Sequence, residues 1–342
     1  MPLHRSARAR DAVRGSRRHF LTLIVAATVA PAAAANPLFV REWGPEGPGA
    51  GQLEGPRGIA VDANGVVFVA DSENNRIVSY DSTGAVLNSW GSLGTGPGQF
   101  EYPTDLEADH SGHLFVVDAR NQRVQKFTSQ GAYLLEWAGT EEAPFVRPFA
   151  IGIGPDDTVY ISENFDGSIQ HYSNDGVFLN RWGSQGAGPE QFTTALGIAV
   201  DANGNVFVSD VQTNWVQKFG PMGDLRARWG GEGSAPGSFT TAYGITVLPN
   251  GDLLVVDHHN FRVQRFANNG AWLSMWGVKG SGPYQFASSH GMASDARGQI
   301  YILDFQGTQA CCYVQKYVDA PVAVRSLTWS DLKHAYRPPT LR

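Results

Sequence analysis

What this chain has little of narrows its class before any motif is read. Cysteine is nearly absent: Cys311 and Cys312 stand side by side, and no third thiol exists to complete a zinc site. Charged residues make up only 17% of the 342 positions, and no long amphipathic helical pattern runs through them. One extended apolar run, "FLTLIVAATVAPAAAA", is too short to span a bilayer comfortably. Positive charge is concentrated at one end. The first 35 residues hold six arginines and one aspartate, so a local +5 leaves −11 on the remainder of a chain whose net charge is −6. So acidic a remainder argues against nucleic acid or an anionic membrane surface as the partner. What is plentiful, 40 glycines, 19 prolines and 11% aromatic residues, points to many short strands and turns.

The first 35 residues read as an export signal to be set aside before fold reasoning. A basic stretch precedes the apolar run, which ends in an A-x-A-like cleavage site at Ala33 to Ala35. The junction "GSRRHFLTLIV" resembles the twin-arginine export motif through Ser16, Arg17, Arg18, Phe20 and Leu21, with Thr22 in place of the usual lysine. The resemblance implies a prokaryotic protein exported folded to the periplasm or beyond, with no stable membrane insertion after cleavage; an ordinary signal with a basic start is the alternative.

Repeats organise the rest. Tryptophans recur at 43, 90, 137, 182, 229 and 276, each ending a similar segment such as "AVLNSWG" or "VFLNRWG". Each period holds an apolar strand ("GIAVDANG"), a second ("VVFVAD"), a polar loop, a third strand and the Trp-ending fourth. Turns such as "DANG", "DSTG" and "NNG" suit positive φ. Four antiparallel strands per period predict an all-β fold, a six-bladed β-propeller. The sixth period lacks its Trp-ending strand, and the orphan "LFVREWG" at 38–44 would supply it and close the ring. The domain is therefore expected over 36–319 as a monomer, with 320–342 a tail that includes a possible short helix capped by Ser330.

The phrases "VVDARNQRVQKF" and "VVDHHNFRVQRF" resemble NHL repeats, whose signature is V-x-D-x-x-N-x-R-V-Q-x-F. The resemblance extends over 38–319 and implies the same six-bladed fold, a fold that hosts binding modules, sensors and a few enzymes.

Residues that recur in most blades are expected to build them. Asp71, Asp118, Asp210 and Asp257, with Arg76, Arg123 and Arg262, are read as loop-fixing pairs. Phe100, Phe192 and Phe286 are read as wedges between blades; the glycines before them are no phosphate loop, since no lysine follows. Residues that differ from blade to blade are the binding candidates. The position before each inner strand gives Arg57, Thr104, Phe149, Leu196, Tyr243 and His290, with Asp105 the adjacent carboxylate. Loops between second and third strands on the same face add Phe165, Trp215, His258, His259, Phe261 and Phe305. Blade six differs again: Asp304 to Val314 spans four more residues than Asp257 to Val263, so Cys311 and Cys312 are expected in an insertion on that face.

Three readings follow. The first is an exported binding or scaffold module that takes a protein, peptide or small ligand on its variable face and needs no cofactor. The second is a metal-dependent lyase or lactonase. Peptidylglycine hydroxyamidating lyase, also of NHL type, places zinc-binding histidines at the start of three inner strands. Here Arg57, Leu196 and Tyr243 occupy ring positions and only His290 fits, so a divalent metal would need His259 or Asp105 as helper. The third is a redox accessory protein that uses Cys311 and Cys312. The residues favour binding over catalysis.

Overall fold

A computed structural model describes residues 36–306 and 311–319. The export arginines Arg17 and Arg18 and the tail at 320–342 lie outside the described residues. Among those described, no helix is long and apolar enough to cross a membrane.

Six four-stranded antiparallel sheets form a ring, the six-bladed propeller that the repeats predict. Blade one is built from Ile59–Val61, Val67–Asp71, Arg76–Tyr80 and Val86–Trp90, in that order from the channel outward. Blades two to five repeat the order, with inner strands Pro103–Ala108, Pro148–Ile153, Ala195–Val200 and Ala242–Val247. Blade six is completed by the other end of the chain. Leu38–Trp43 pairs with Cys311–Val318 from Leu38 opposite Val318 to Trp43 opposite Val314, which is the expected closing strand.

The core lies between blades. Phe100 is fully buried in a cluster that joins Ala60, Phe68 and Ile77 of blade one to Leu106, Val116 and Phe127 of blade two, so the wedge reading holds. Five of the six blade-ending tryptophans, Trp43, Trp90, Trp137, Trp182 and Trp229, pack over the next blade's tight turn. Trp90 lies edge-on to Phe68 in its own blade and tilted against Phe127 in the next. A methyl group added to Gly131 would sit 2.6 Å from the Trp90 ring, so only glycine fits beneath the indole.

The recurring carboxylates act as splints. At the end of each second strand, Asp71, Asp118, Glu163, Asp210, Asp257 or Asp304 accepts the backbone N–H of Glu54, Glu101, Val146, Thr193, Thr240 or Ala287 respectively, over 2.5–3.0 Å. Each accepting carboxylate thereby fixes the segment that leads into its inner strand. Burial pushes the carboxyls of Asp71, Asp118, Glu163 and Asp304 upward, and these N–H donors oppose that shift. Arg76, Arg123 and Arg262 pair with their aspartates at 2.7–2.8 Å and also donate to carbonyls of the lead-in. The loop-fixing role expected of them is what the geometry shows.

Blade six corrects one expectation. Its central hairpin is longer than the others, with Asp304 opposite Tyr313, Phe305 opposite Cys312 and Gln306 opposite Cys311. In blade five the hairpin ends at Asp257 opposite Arg262. The backbone of both cysteines therefore belongs to strand rather than to a projecting loop, because extra residues in a hairpin can add rungs to the ladder. The cysteine side chains and residues 307–310 lie outside the described residues.

Candidate functional site

The inner strands begin around the mouth of a central channel, and their spacing decides where a ligand fits. After the ring residues of blades one, four, five and six comes a glycine: Gly58, Gly197, Gly244 and Gly291. A Cβ at Gly244 would lie 2.2 Å from the His290 carbonyl oxygen, and one at Gly291 would lie 2.6 Å from that of Arg57. Neighbouring inner strands can approach this closely only where no side chain intervenes. The throat, lined by Asp105, Glu107, Ile151 and Ile198 among others, has a volume of about 30 Å³, room for a water molecule rather than a ligand. The mouth above it opens into a cavity of about 610 Å³, within the range of small-molecule sites.

All six ring residues expected from the alignment line the throat, and five of them, Arg57, Thr104, Phe149, Leu196 and Tyr243, line the mouth cavity as well. Arg57 reaches across the channel. Its Nε donates to the Tyr102 hydroxyl at 2.7 Å and its Nη1 to the Tyr243 hydroxyl at 3.1 Å. Burial opposes its charge, but the two phenols more than offset this and hold the guanidinium above its ordinary pKa. Burial drives the Tyr243 hydroxyl up to about 12, so at neutral pH it remains a neutral partner. Thr104 is spent on structure, its hydroxyl donating to the Phe149 carbonyl at 2.8 Å.

Beside Tyr243, outside the lining of the mouth cavity, stand two imidazoles. The His258 and His290 ring centroids lie 4.9 Å apart, and Tyr243 meets His290 edge-on at 4.8 Å. His258 Nδ1 donates to the Ser289 carbonyl at 2.8 Å, which leaves Nε2 of the neutral ring as an acceptor. His290 is pushed down to about 3, first by burial and then by the positive fields of His258 and Arg57, so it is neutral at any physiological pH. Burial also lowers His258. His259 turns away, its Nδ1 in a 2.6 Å hydrogen bond with the Thr241 hydroxyl. Among the described residues no three His, Cys, Asp or Glu side chains are arranged to hold a metal ion.

Inside the throat stand two carboxyls. Asp105 accepts the Ile151 and Leu106 N–H groups at 3.0 Å, and burial raises it to about 7. Glu107, two residues along the same strand face, is raised to about 8 by burial and by Asp105.

The remaining loop candidates do not join the mouth. Phe165 is 63% exposed and points outward. Trp215 is stacked under Arg228 at 4.0 Å. Phe261 lies beneath Lys279 and Phe305 packs on a blade-six core cluster. Loops on one face need not aim their side chains at one point, and the left-handed turn at Phe261 (φ 55°) is one reason.

Sequence reasoning missed Tyr102, Arg120 and Arg147, which complete the mouth. Tyr102 and Arg147 stand two residues before the ring positions Thr104 and Phe149. Arg120 occupies the same loop position as Phe165 and His259. A signal was therefore present: extending the blade alignment two residues upstream brings out the first two.

A family model described as the NHL repeat matches residues 53–80 and 239–266, in blades one and five. No curated protein matches the chain in sequence. Among solved structures, a streptogramin B lyase is 14% identical with a TM-score of 0.57, over 82% of this chain and 97% of that one. Virginiamycin B lyase from Staphylococcus aureus is 17% identical with a TM-score of 0.54, over 81% and 87%. A gluconolactonase from Xanthomonas campestris is 14% identical with a TM-score of 0.59, over 83% and 96%. At such identities the likeness is one of fold.

Proposed function

We propose that this chain is a binding propeller, acting after export, whose ligand site is the mouth of the central channel on its variable face. The observation that carries this is the cavity of about 610 Å³ around a preoriented guanidinium, Arg57, with Phe149, Leu196 and Tyr243 as apolar wall. A concave, largely apolar site with a few fixed polar groups is the usual form of a small-ligand site, and the narrow throat sets the ligand at the mouth. Leu196→Trp fills that mouth from the partly exposed ring. Ligand-observed NMR with a fragment library should give hits on the wild type that this variant loses; hits indifferent to it would refute the site.

A second reading, a lyase or lactonase, is favoured by one observation: the neutral His290 imidazole beside His258, Tyr243 and Arg57. A neutral imidazole can polarise a carbonyl, as a guanidinium and a phenol can, and together they would stabilise the charge that develops when a proton is lost alpha to it. Two solved neighbours are named as lyases, and a histidine-to-alanine form of virginiamycin B lyase is described as catalytically inactive with quinupristin. Turnover of a cyclic depsipeptide or an aldonolactone by wild type but not His290→Ala would support this reading. Equal background rates for both proteins would sink it. The redox reading rests on Cys311 and Cys312 alone, whose side chains lie outside the described residues, and is not developed.

A further inference from the structure

Twelve arginines lie among the described residues: six pair with aspartates, Arg41, Arg228 and Arg297 have no ion pair among the described residues and do not line the mouth, and the remaining three line it. Arg76, Arg123, Arg181, Arg226, Arg262 and Arg265 each pair with an aspartate at 2.7–3.0 Å. Arg57, Arg120 and Arg147 have no carboxylate partner among the described residues, and all three line the mouth cavity. They come from different blades: Arg57 from the entry to blade one, Arg120 from the short 3-10 turn Ala119–Asn121 of blade two, Arg147 from the lead-in of blade three.

Their arrangement is built. Arg57 and Arg120 lie over the Tyr102 ring, with guanidinium carbons 5.2 and 4.5 Å from its centroid. Tyr102 is itself held in a left-handed conformation (φ 58°), its N–H donating to the Asn75 side chain of blade one at 2.8 Å. Two hydroxyls fix Arg57 Nε and Nη1, while its Nη2 has no hydrogen-bond partner among the described residues. Glu101 is the only carboxylate among the residues lining this cavity, so the lining carries a net charge of +2 on a chain of net charge −6. Arg57 is half-buried and Arg120 and Arg147 are exposed, and three like charges around one cavity give it a positive potential that favours an anion. The lining also holds the apolar side chains of Phe149, Leu196 and Pro148.

Resting on the mouth being a ligand site, we infer that its ligand is a small organic carboxylate, whose planar head meets the guanidinium groups while its apolar body lies against Phe149 and Leu196. Arginine matches a carboxylate in a two-pronged geometry that lysine cannot reproduce.

The test is isothermal titration of the protein lacking the export segment with phenylacetate, phenylacetamide and benzylamine, matched in body and differing in charge. Phenylacetate is expected to bind at least tenfold more tightly than the amide or the amine. Arg120→Gln/Arg147→Gln, both on exposed loops, should weaken phenylacetate at least tenfold with the melting temperature unchanged, and Arg57→Lys should weaken it as well. Equal binding of all three probes, or carboxylate binding untouched by the double variant, overturns the inference. If amide or amine binds better and Leu196→Trp abolishes that binding, the mouth stands as a ligand site and the carboxylate assignment falls. If no library fragment is lost on Leu196→Trp, the site itself falls.

Discussion

Arg262→Met should cost this propeller several kcal/mol although the residue touches no ligand. The Arg262 side chain is 9% exposed and its partner Asp257 is fully buried, with Nε 2.7 Å from the carboxylate. The guanidinium also donates to the carbonyls of Ser234, Ala235 and Ser238 at 2.8–3.0 Å. Methionine replaces the stem but none of these four bonds. Removing one member of a buried pair costs about 3–5 kcal/mol, because the other charge is left behind. At roughly 2–4 °C per kcal/mol this lowers the melting temperature by about 6–20 °C, toward the lower end for a domain this large. Asp257→Asn added to Arg262→Met should recover part of the loss, since a neutral amide still accepts from the Thr240 N–H without an unpaired charge. Arg226→Met is the control: its pair with Asp224 is 44% and 62% exposed, and it should melt much closer to wild type. Differential scanning calorimetry on all four proteins decides the matter. Arg262→Met melting within about 1 °C of wild type, or losing no more than Arg226→Met, would refute the splint reasoning.

Two further tests bear on the channel and on the blade seams. Glu107 has an ordinary pKa of 4.5 and is raised to about 8 in the folded protein. Above pH 4.5 the unfolded chain gives up this proton first, so the group's contribution is full below 4.5 and is lost as pH rises through about 8. Glu107→Gln should therefore stabilise the protein at pH 8.5 relative to wild type and leave the two alike at pH 4; equal urea midpoints at pH 8.5 would contradict the burial of this carboxyl. Gly131 and Gly112 share φ values of 84° and 83°, but only Gly131 has a neighbour, the Trp90 ring. Gly112→Ala should cost about 1–2 kcal/mol for the left-handed backbone alone. Gly131→Ala adds the overpacking cost, for a total of about 2–5 kcal/mol. Equal losses would show that the tryptophan yields freely.

The fold was legible because each blade repeats the same solution. Four strands, a splinting carboxylate and an indole over a turn glycine recur often enough for a single sequence to act as its own alignment. The closing strand was legible for the same reason, as the piece missing from the sixth period. The mouth was legible only at the ring itself, where Arg57, Tyr243 and His290 stand at one alignment column and do meet. Tyr102 and Arg147 lay in the column two residues upstream of the ring, whereas Arg120 escaped because its side-chain direction depends on a 3-10 turn, which shifts the aim of a loop without changing its length. Trp215 shows the converse. It was singled out as an unusual aromatic, yet it fills the place that arginine holds in blades one, two and five. There Asp210 takes N–H groups from Thr194, Gln212 and Thr213 as well as Thr193. A departure from the repeat can therefore mark a change in how the blade is braced as readily as a change in what it binds.

The seam in blade six also sets how the ring responds to force. The chain enters the propeller at Leu38 and leaves it at Val318, and these two residues are paired on antiparallel neighbours. Tension applied through the two ends therefore loads the same rung and peels the strands apart one pair at a time, like a zipper, instead of shearing all rungs together. A machine that pulls on Leu38 meets this mode alone, whereas from the other end Val318 must leave Gln299 as well as Leu38. Once Trp43 has come away from Val314, the strand Cys311–Val318 becomes the outer edge of blade six. The pairing that joins the two ends of the ring is thus also the place where the ring opens under load.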